Sequence, residues 1–451
     1  MAAVPNDKGV TVRKTTRKFL AATAGVASIA LVATACSSDT DNDPAASGEP
    51  SANDTKPVTL TVATFNNFGY TDELLAEYTK THPNVTVKQT VAAKSEDART
   101  NLTTKLAAGG AGLADVEAIE IDWLPELVQS ADKFLDLNSP EVEGRWLEFK
   151  TKPATSADGK LIGYGTDVGP EAICYRADLF EAAGLPKEPE KVAELLGGDG
   201  ATWDKYFEVG KTFTDKSDSA WFDSANAIYQ GMVNQLEAAY ENTDGTPVPL
   251  AENDAVKGLY ETVTGAQVQE LSGHLGQWSE DWKAAFQNNG FATMLCPAWM
   301  TGPIEQNSGG ITGWNIADVF PGGGGNWGGS YLTVPAAGPN TEAAKELAAW
   351  LTSPETQVKA FLNAGTFPSQ TEALTDPALT DSKNEFFNNA PVGTIFGNRY
   401  KAIKVTPFKG PNYFSIHQTV GDAITKVDVD KSADSAAAWQ GALDAYNALG
   451  L

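Results

Sequence analysis

Two short clusters stand out for the chemistry their side chains can do. Asn66-Asn67-Phe68 and Asp122-Trp123 each follow a run rich in β-branched residues. Amides and a carboxylate supply directional hydrogen bonds, and the adjoining rings supply flat apolar faces. The combination suits a polar ligand that also has apolar faces. Each cluster has a plainer reading as well. Asn tolerates positive φ, so Asn66-Asn67 suits a turn. Asp122 suits the N-cap of a helix over 123–129, which leaves Glu120 as the carboxylate facing the ligand. Asp167 lies in the Gly-rich run GYGTDVGPE, and Asn412 and Tyr413 lie in KGPNYF. Trp327 sits in a glycine cluster, Pro321 to Ser330, with no room for a core around it.

Several familiar chemistries are missing. His82, His274 and His417 are isolated, and neither H-E-x-x-H nor C-x-x-C occurs, so no metal or cofactor is expected. G-x-S-x-G is absent, which argues against a serine hydrolase. The glycine cluster lacks the Lys of a phosphate-cradling loop, so close backbone approach or a hinge fits it better. Asp39, Asp41 and Asp43 imitate the start of a calcium loop, but Pro44 and Pro50 stand where the Gly and closing Glu belong. The 451 residues carry 33 Lys+Arg against 58 Asp+Glu, a net charge of −25. That excess argues against sequence-independent nucleic-acid binding and against docking on anionic lipid through a basic face.

Residues 1–35 read as an export signal. Five cations and one acid precede an uncharged stretch from Phe19 to Ala35, too Ala- and Thr-rich for a stable membrane span. Ala33-Thr34-Ala35-Cys36 resembles a bacterial lipobox, with Ala33 in place of the usual Leu. Cys36 is then the lipidated first residue of the mature chain; ordinary cleavage after Ala35 is the alternative. Residues 36–56 lack aromatic and large aliphatic side chains and read as a disordered acidic tether. Without residues 1–35 the net charge is −29.

From Val58 onward the pattern alternates. Strands are predicted over 58–65, 85–91 and 115–121. Helices are predicted over 72–79 and 95–108, the second with Ser95 as N-cap. This is an α/β layer structure with a largely parallel sheet, and ligands sit beyond the carboxyl ends of strands in such sheets. Residues 163–171 read as a crossover into a second α/β region. That region has a strand over 172–175, helices over 176–183 and 202–214, mostly helix to Asn288, and a strand over 291–296. Helices over 341–351 and 354–362 follow, with another crossover at 365–369. Cys174 and Cys296 both fall in strand-like runs. In an oxidising compartment they form either a disulfide or two buried thiols.

The run Gly169 to Pro186, Thr202 to Phe207, Phe286 to Trp299 and Ala343 to Glu355 are similar, in order, to segments of carbohydrate-binding proteins of ABC importers. The resemblance implies a type II periplasmic-binding fold: two α/β lobes, a hinge and an interlobe cleft. Lobe one would hold residues 57–165 plus 315–365, and lobe two 166–314 plus 366–451. It implies a substrate-binding lipoprotein, monomeric in its soluble part and lipid-anchored to the outer face of the cell membrane. Such a protein delivers an oligosaccharide to permease subunits.

Under that resemblance Trp299 stacks on the sugar, Trp327 is a second stacker, and Trp278 or Trp282 a third. Trp203, Trp350 and Trp439 are read as structural. Asn66, Asn67, Glu120, Asp122, Trp123, Asp167, Glu171 and Tyr413 complete the expected site, Glu171 as the carboxylate beside the hinge. MLCPAWM and GGGGNWGGS resemble actinobacterial proteins for cellobiose and related β-linked oligosaccharides. The alternatives are manno- or xylo-oligosaccharides, α-glucosides, a non-sugar solute, or an exported glycoside hydrolase using two of the 58 acids.

Overall fold

The computed structural model describes residues 56–451. The expected signal segment, Cys36 and the tether up to residue 55 lie outside them. Eleven strands are found among the described residues: β1 (Val58–Phe65), β2 (Val85–Ala92), β3 (Val116–Glu120), β4 (Tyr164–Gly165), β5 (Asp167–Val168), β6 (Glu171–Arg176), β7 (Ala220–Phe222), β8 (Phe291–Pro297), β9 (Trp314–Ala317), β10 (Ser330–Thr333) and β11 (Phe367–Pro368).

The first sheet has the order β2-β1-β3-β10-β4. Alternation along β1 sends Leu60 and Val62 into the core. There they meet Leu74, Leu75 and Tyr78 of helix Asp72–Thr81, Leu102 and Leu106 of helix Ser95–Ala107, and Leu347 and Leu351 of helix Thr341–Leu351. Each such buried leucine contributes about 1.5–3 kcal/mol.

The second sheet has the order β7-β8-β6-β9. Both faces of β6 are covered. Ile173 and Tyr175 enter one core with Trp221 and Phe180, while Ala172 and Cys174 enter another with Trp282, Phe286 and Met294. β6 therefore reads as a continuous apolar run rather than an alternating one. Cys174 and Cys296 are joined by a disulfide, Cα–Cα 5.4 Å, between the antiparallel neighbours β6 and β8.

Three segments link the sheets among the described residues: β5, the glycine-rich stretch 318–329, and β11. β5 and β11 pair antiparallel, Phe367 opposite Val168. The glycine-rich stretch lies along 169–171. Trp327 donates its N–H to the Gly169 carbonyl (2.8 Å), and Glu171 donates to Gly325 (3.1 Å). A Cβ on Gly169 would overlap the Trp327 carbonyl, so only glycine fits that crossing.

Four expectations need correction. Among the strands of the described residues, parallel pairing is confined to β1–β2, β1–β3 and β7–β8. The other strand pairs are antiparallel, and β6 and β10 enter their sheets from interlobe crossings rather than from the helical returns that impose parallel sense. β9 pairs with β6, Ile173 opposite Ala317, so the chain leaves the second sheet after Ala317 and not at 315. The stretch read as helical to Asn288 also contains β7, three residues too short to show a period. Finally, Lys94 occupies the N-cap of helix Ser95–Ala107, and the Ser95 hydroxyl accepts the indole N–H of Trp123 (2.9 Å).

Candidate functional site

A cleft of about 370 Å³ lies between the two sheets and takes residues from both sides and from the crossings. On the first-sheet side, β1 ends in Phe65 and the chain turns at Asn66, φ +50°. Asn67 caps that turn by accepting the Gly69 N–H (2.9 Å). The turn reading of these residues is thus correct, and both also line the cleft. The Asn66 Oδ1 is buried without a partner, an acceptor left open.

β3 ends in Glu120, and Asp122 follows it into the cleft. Asp122 caps no helix: the helix Leu124–Val128 begins after Trp123. The Asp122 carboxylate instead pairs with the Lys409 ammonium, which also reaches Asn234 (3.3 Å) and lies 4.7 Å from the Tyr413 ring centre. Burial and the neighbouring Asp122 charge push the Glu120 carboxyl well above the usual carboxylate range, and its Oε2 accepts the Asp122 N–H (3.1 Å). Asp167, in β5, also lines the cleft. One carboxylate oxygen is taken up by the Thr166 hydroxyl (2.7 Å) and the Ser330 N–H (2.8 Å).

The opposite wall is aromatic. Trp299 follows β8 and donates its indole N–H to the Trp327 carbonyl (2.9 Å). The two rings meet edge to face at 5.7 Å, and Trp278 lies nearly parallel to Trp299 at 6.2 Å, 19° between planes. Trp278 has φ +70°, an uncommon conformation for a large residue, so its surroundings must hold it. Buried Asp223 does much of this. It accepts from Gln277 and from the Trp282 indole, each at 2.8 Å, and its carbonyl accepts the Leu275 N–H (3.1 Å). Burial lifts its carboxyl to about 6. His274 of the same loop pairs with Asp428 (2.8 Å).

Four residues offered by the sequence do not reach the cleft. Trp123 is fully buried in the first core, beside Phe65. Glu171 is fully buried with both carboxyl oxygens unpartnered, and a Cβ on Gly325 would overlap its Oε2. Burial raises its carboxyl well above the usual carboxylate range, and it sits inside the hinge. Gly169 lies nearer the rings: a Cβ built on it would approach the Trp299 Nε1 at 3.2 Å. Tyr413 is buried against Tyr240 and His417, and its neighbour Phe414 lines the cleft instead. Trp282 is buried behind Trp278.

Sequence reasoning missed a second polar set. Asn226 and Gln230 are four apart on helix Ala225–Val233, and Phe414, His417 and Thr425 share a face of helix Tyr413–Asp428. Polar residues at i, i+4 in an otherwise apolar helix were the available signal. Gln230 Nε2 and Thr366 Oγ1 are buried and unpartnered, which adds two open groups to the one on Asn66. His417 bonds the Tyr240 hydroxyl (2.8 Å), and burial pushes it down to about 4, so it is neutral.

Comparison with known proteins places this geometry. The family model for bacterial extracellular solute-binding proteins matches residues 73–388. A crystal structure described as an extracellular solute-binding protein of family 1 is 45% identical, with a TM-score of 0.74 over 87% of this chain and 99% of that one. An ABC-transporter-associated binding protein from Bifidobacterium animalis subsp. lactis, solved with β-1,6-galactobiose, shares the fold at 20% identity. Its TM-score is 0.71 over 87% of this chain and 98% of its own. A Brucella abortus protein described as a binding protein is 34% identical over 96 residues. The match takes in 21% of this chain and only 23% of that relative's length. With two α/β lobes, a hinge of crossing strands and a cleft between them, the type II periplasmic-binding arrangement, the chain belongs to the bacterial extracellular solute-binding protein family.

Proposed function

We propose that this chain captures a neutral oligosaccharide in the cleft and hands it, unaltered, to the permease of an ABC importer. The observation that carries the reading is the wall of Trp278, Trp299 and Trp327 in one cleft with the open polar groups of Asn66, Gln230 and Thr366. Pyranose faces stack on rings while hydroxyls need directional partners. The charges present favour a neutral ligand: Lys409 balances Asp122, and an Asp167 carboxylate oxygen is taken up by Thr166 and Ser330.

Cellobiose or another β-gluco-oligosaccharide is the first choice, on the strength of MLCPAWM and GGGGNWGGS. The β-linked disaccharide held by the Bifidobacterium relative is consistent with that class. The protein works outside the cytoplasm as a monomer, anchored through lipidated Cys36 on the tether 36–56 after removal of residues 1–35. Lobe one is 57–165 with the returning segment up to 365, and lobe two is the rest. Closure follows from ligand touching both lobes only in the shut form.

A thermal-shift screen of the soluble domain against neutral oligosaccharides, followed by calorimetry, tests the reading. A ligand at 100 times its Kd adds about 2.7 kcal/mol of stability. No shift with any saccharide sinks it. The raised Glu120 carboxyl beside Asp122 favours a second reading, hydrolysis by a carboxyl pair. Cleavage products after incubation with the bound saccharide would establish that instead. The anchor is tested by fatty-acid labelling of cells carrying the natural chain or Cys36→Ala.

A further inference from the structure

A second cavity, about 560 Å³, lies between the lobes on the far side of the Asp122–Lys409 ion pair. Asp122 lines only the first cavity of these two and Lys409 only the second, while Gly328 lines both. The pair therefore stands in the partition between them together with the crossing backbone, since Asp167, Trp327 and Gly329 line the first cavity and Val168 and Asn326 the second. The partition is thin at the glycine: a Cβ there would approach the Trp299 Nε1 at 3.4 Å and the Glu120 Oε1 at 3.8 Å. The second cavity shares rings and polar groups with the first but is more cationic. Phe149 and Phe408 supply ring faces, Thr406 and Glu148 supply polar groups, and Lys150, Lys152 and Lys409 also line it, the Lys150 ammonium lying 3.9 Å from the Tyr331 ring centre. Each volume falls in the ordinary range for a small-molecule site, and joined they make a longer groove.

We propose that the Asp122–Lys409 pair is a chain-length gate, confining short saccharides to the first cavity and opening to let longer chains run into the second. The inference rests on the oligosaccharide reading above and adds the residues that set ligand length. Lys409 comes from the 404–412 stretch ahead of a lobe-two helix and Asp122 from the end of β3, so the same pair spans the lobes. Its loss therefore acts on closure as well as on length. The two are separable, because closure changes all affinities by one factor whereas a gate changes their ratio.

The test is calorimetry of the soluble domain with di-, tri-, tetra- and pentasaccharides of the series that binds best in the thermal-shift screen. The natural chain is compared with Lys409→Met and with Asp122→Asn/Lys409→Met, the double variant leaving no unpaired charge. The expected result is little gain in affinity beyond the length that fills the first cavity in the natural chain. In both variants the ratio of pentasaccharide to disaccharide affinity rises at least tenfold. Binding of saccharides with an unchanged ratio, or with one common factor at every length, overturns the gate and leaves the parent reading standing. Absence of saccharide binding to the natural chain overturns both.

Discussion

The two walls of the cleft are built differently. On the first-sheet side, Asn66, Asn67, Glu120 and Asp122 stand within two residues of strand ends, carried by β1 and β3 at the centre of a packed sheet. On the other side, Trp278 rides an irregular loop in a left-handed conformation, and Trp327 lies in a glycine-rich crossing. Behind that wall are fixed supports: the Cys174–Cys296 bridge, the Asp223 hydrogen bonds and the Trp299–Trp327 bond. A strand end positions a side chain through its own ladder. A loop does so only through buried partners made elsewhere in the chain.

If that contrast holds, the supports of the aromatic wall should matter most. Replacing both Cys174 and Cys296 with Ala should cost about 2–5 kcal/mol in denaturant unfolding. A cost near zero would mean that the second core holds the wall unaided. Next, Trp299→Ala should weaken saccharide binding at least tenfold, about 1.4 kcal/mol or more, by calorimetry. Asn66→Ala should cost less, about 0.5–1.5 kcal/mol, the net worth of the one hydrogen bond a ligand hydroxyl would make to its Oδ1. A reversed order would shift the binding energy to the polar wall. Asp223→Ala should lower affinity by loosening Trp278, and Asp223→Asn should restore most of it. Equal affinity in both variants would show that the loop stands without Asp223.

The smallest expected effect is on pH, where a cleft residue of lobe two and a buried residue of β3 carry opposite signs. His417 is held neutral down to about 4, against an ordinary value of 6.5. The unfolded chain takes up a proton there that the fold refuses. This stability is complete above pH 6.5 and is lost as pH falls toward 4. Glu117, in β3, is lifted by burial to about 7 from an ordinary value of 4.5. The fold keeps a proton that the unfolded chain releases, so this stability is complete below 4.5 and is lost as pH rises to 7. Thermal melts against pH should flatten on the acid limb in His417→Gln and on the neutral limb in Glu117→Gln. Unchanged profiles would remove these groups from the linkage.

Much of this was legible because it is local. β1, helix Thr341–Leu351 and helix Trp203–Thr214 with its Thr202 cap fall where period and capping residues put them. Asn66, Asn67 and Asp122 line the cleft because the end of a strand is a property of nearby residues. Trp123 and Glu171 show where such reasoning stops. Each neighbours a position at the cleft or hinge, but one step along a chain reverses the direction of a side chain. Only the cores behind β1 and β6 decide which direction is inward.

From its letters alone the chain determined an α/β alternation, two crossovers, an excess of acid and an isolated set of aromatics and amides near strand ends. Those features depend on spacing and composition within a few residues. The tertiary structure decided the antiparallel joins, the bond between two distant cysteines, the burial of Glu171, and the meeting of Asp122 with Lys409 across 287 positions. Contacts at such separation depend on how two packed lobes face each other, and no local period encodes that.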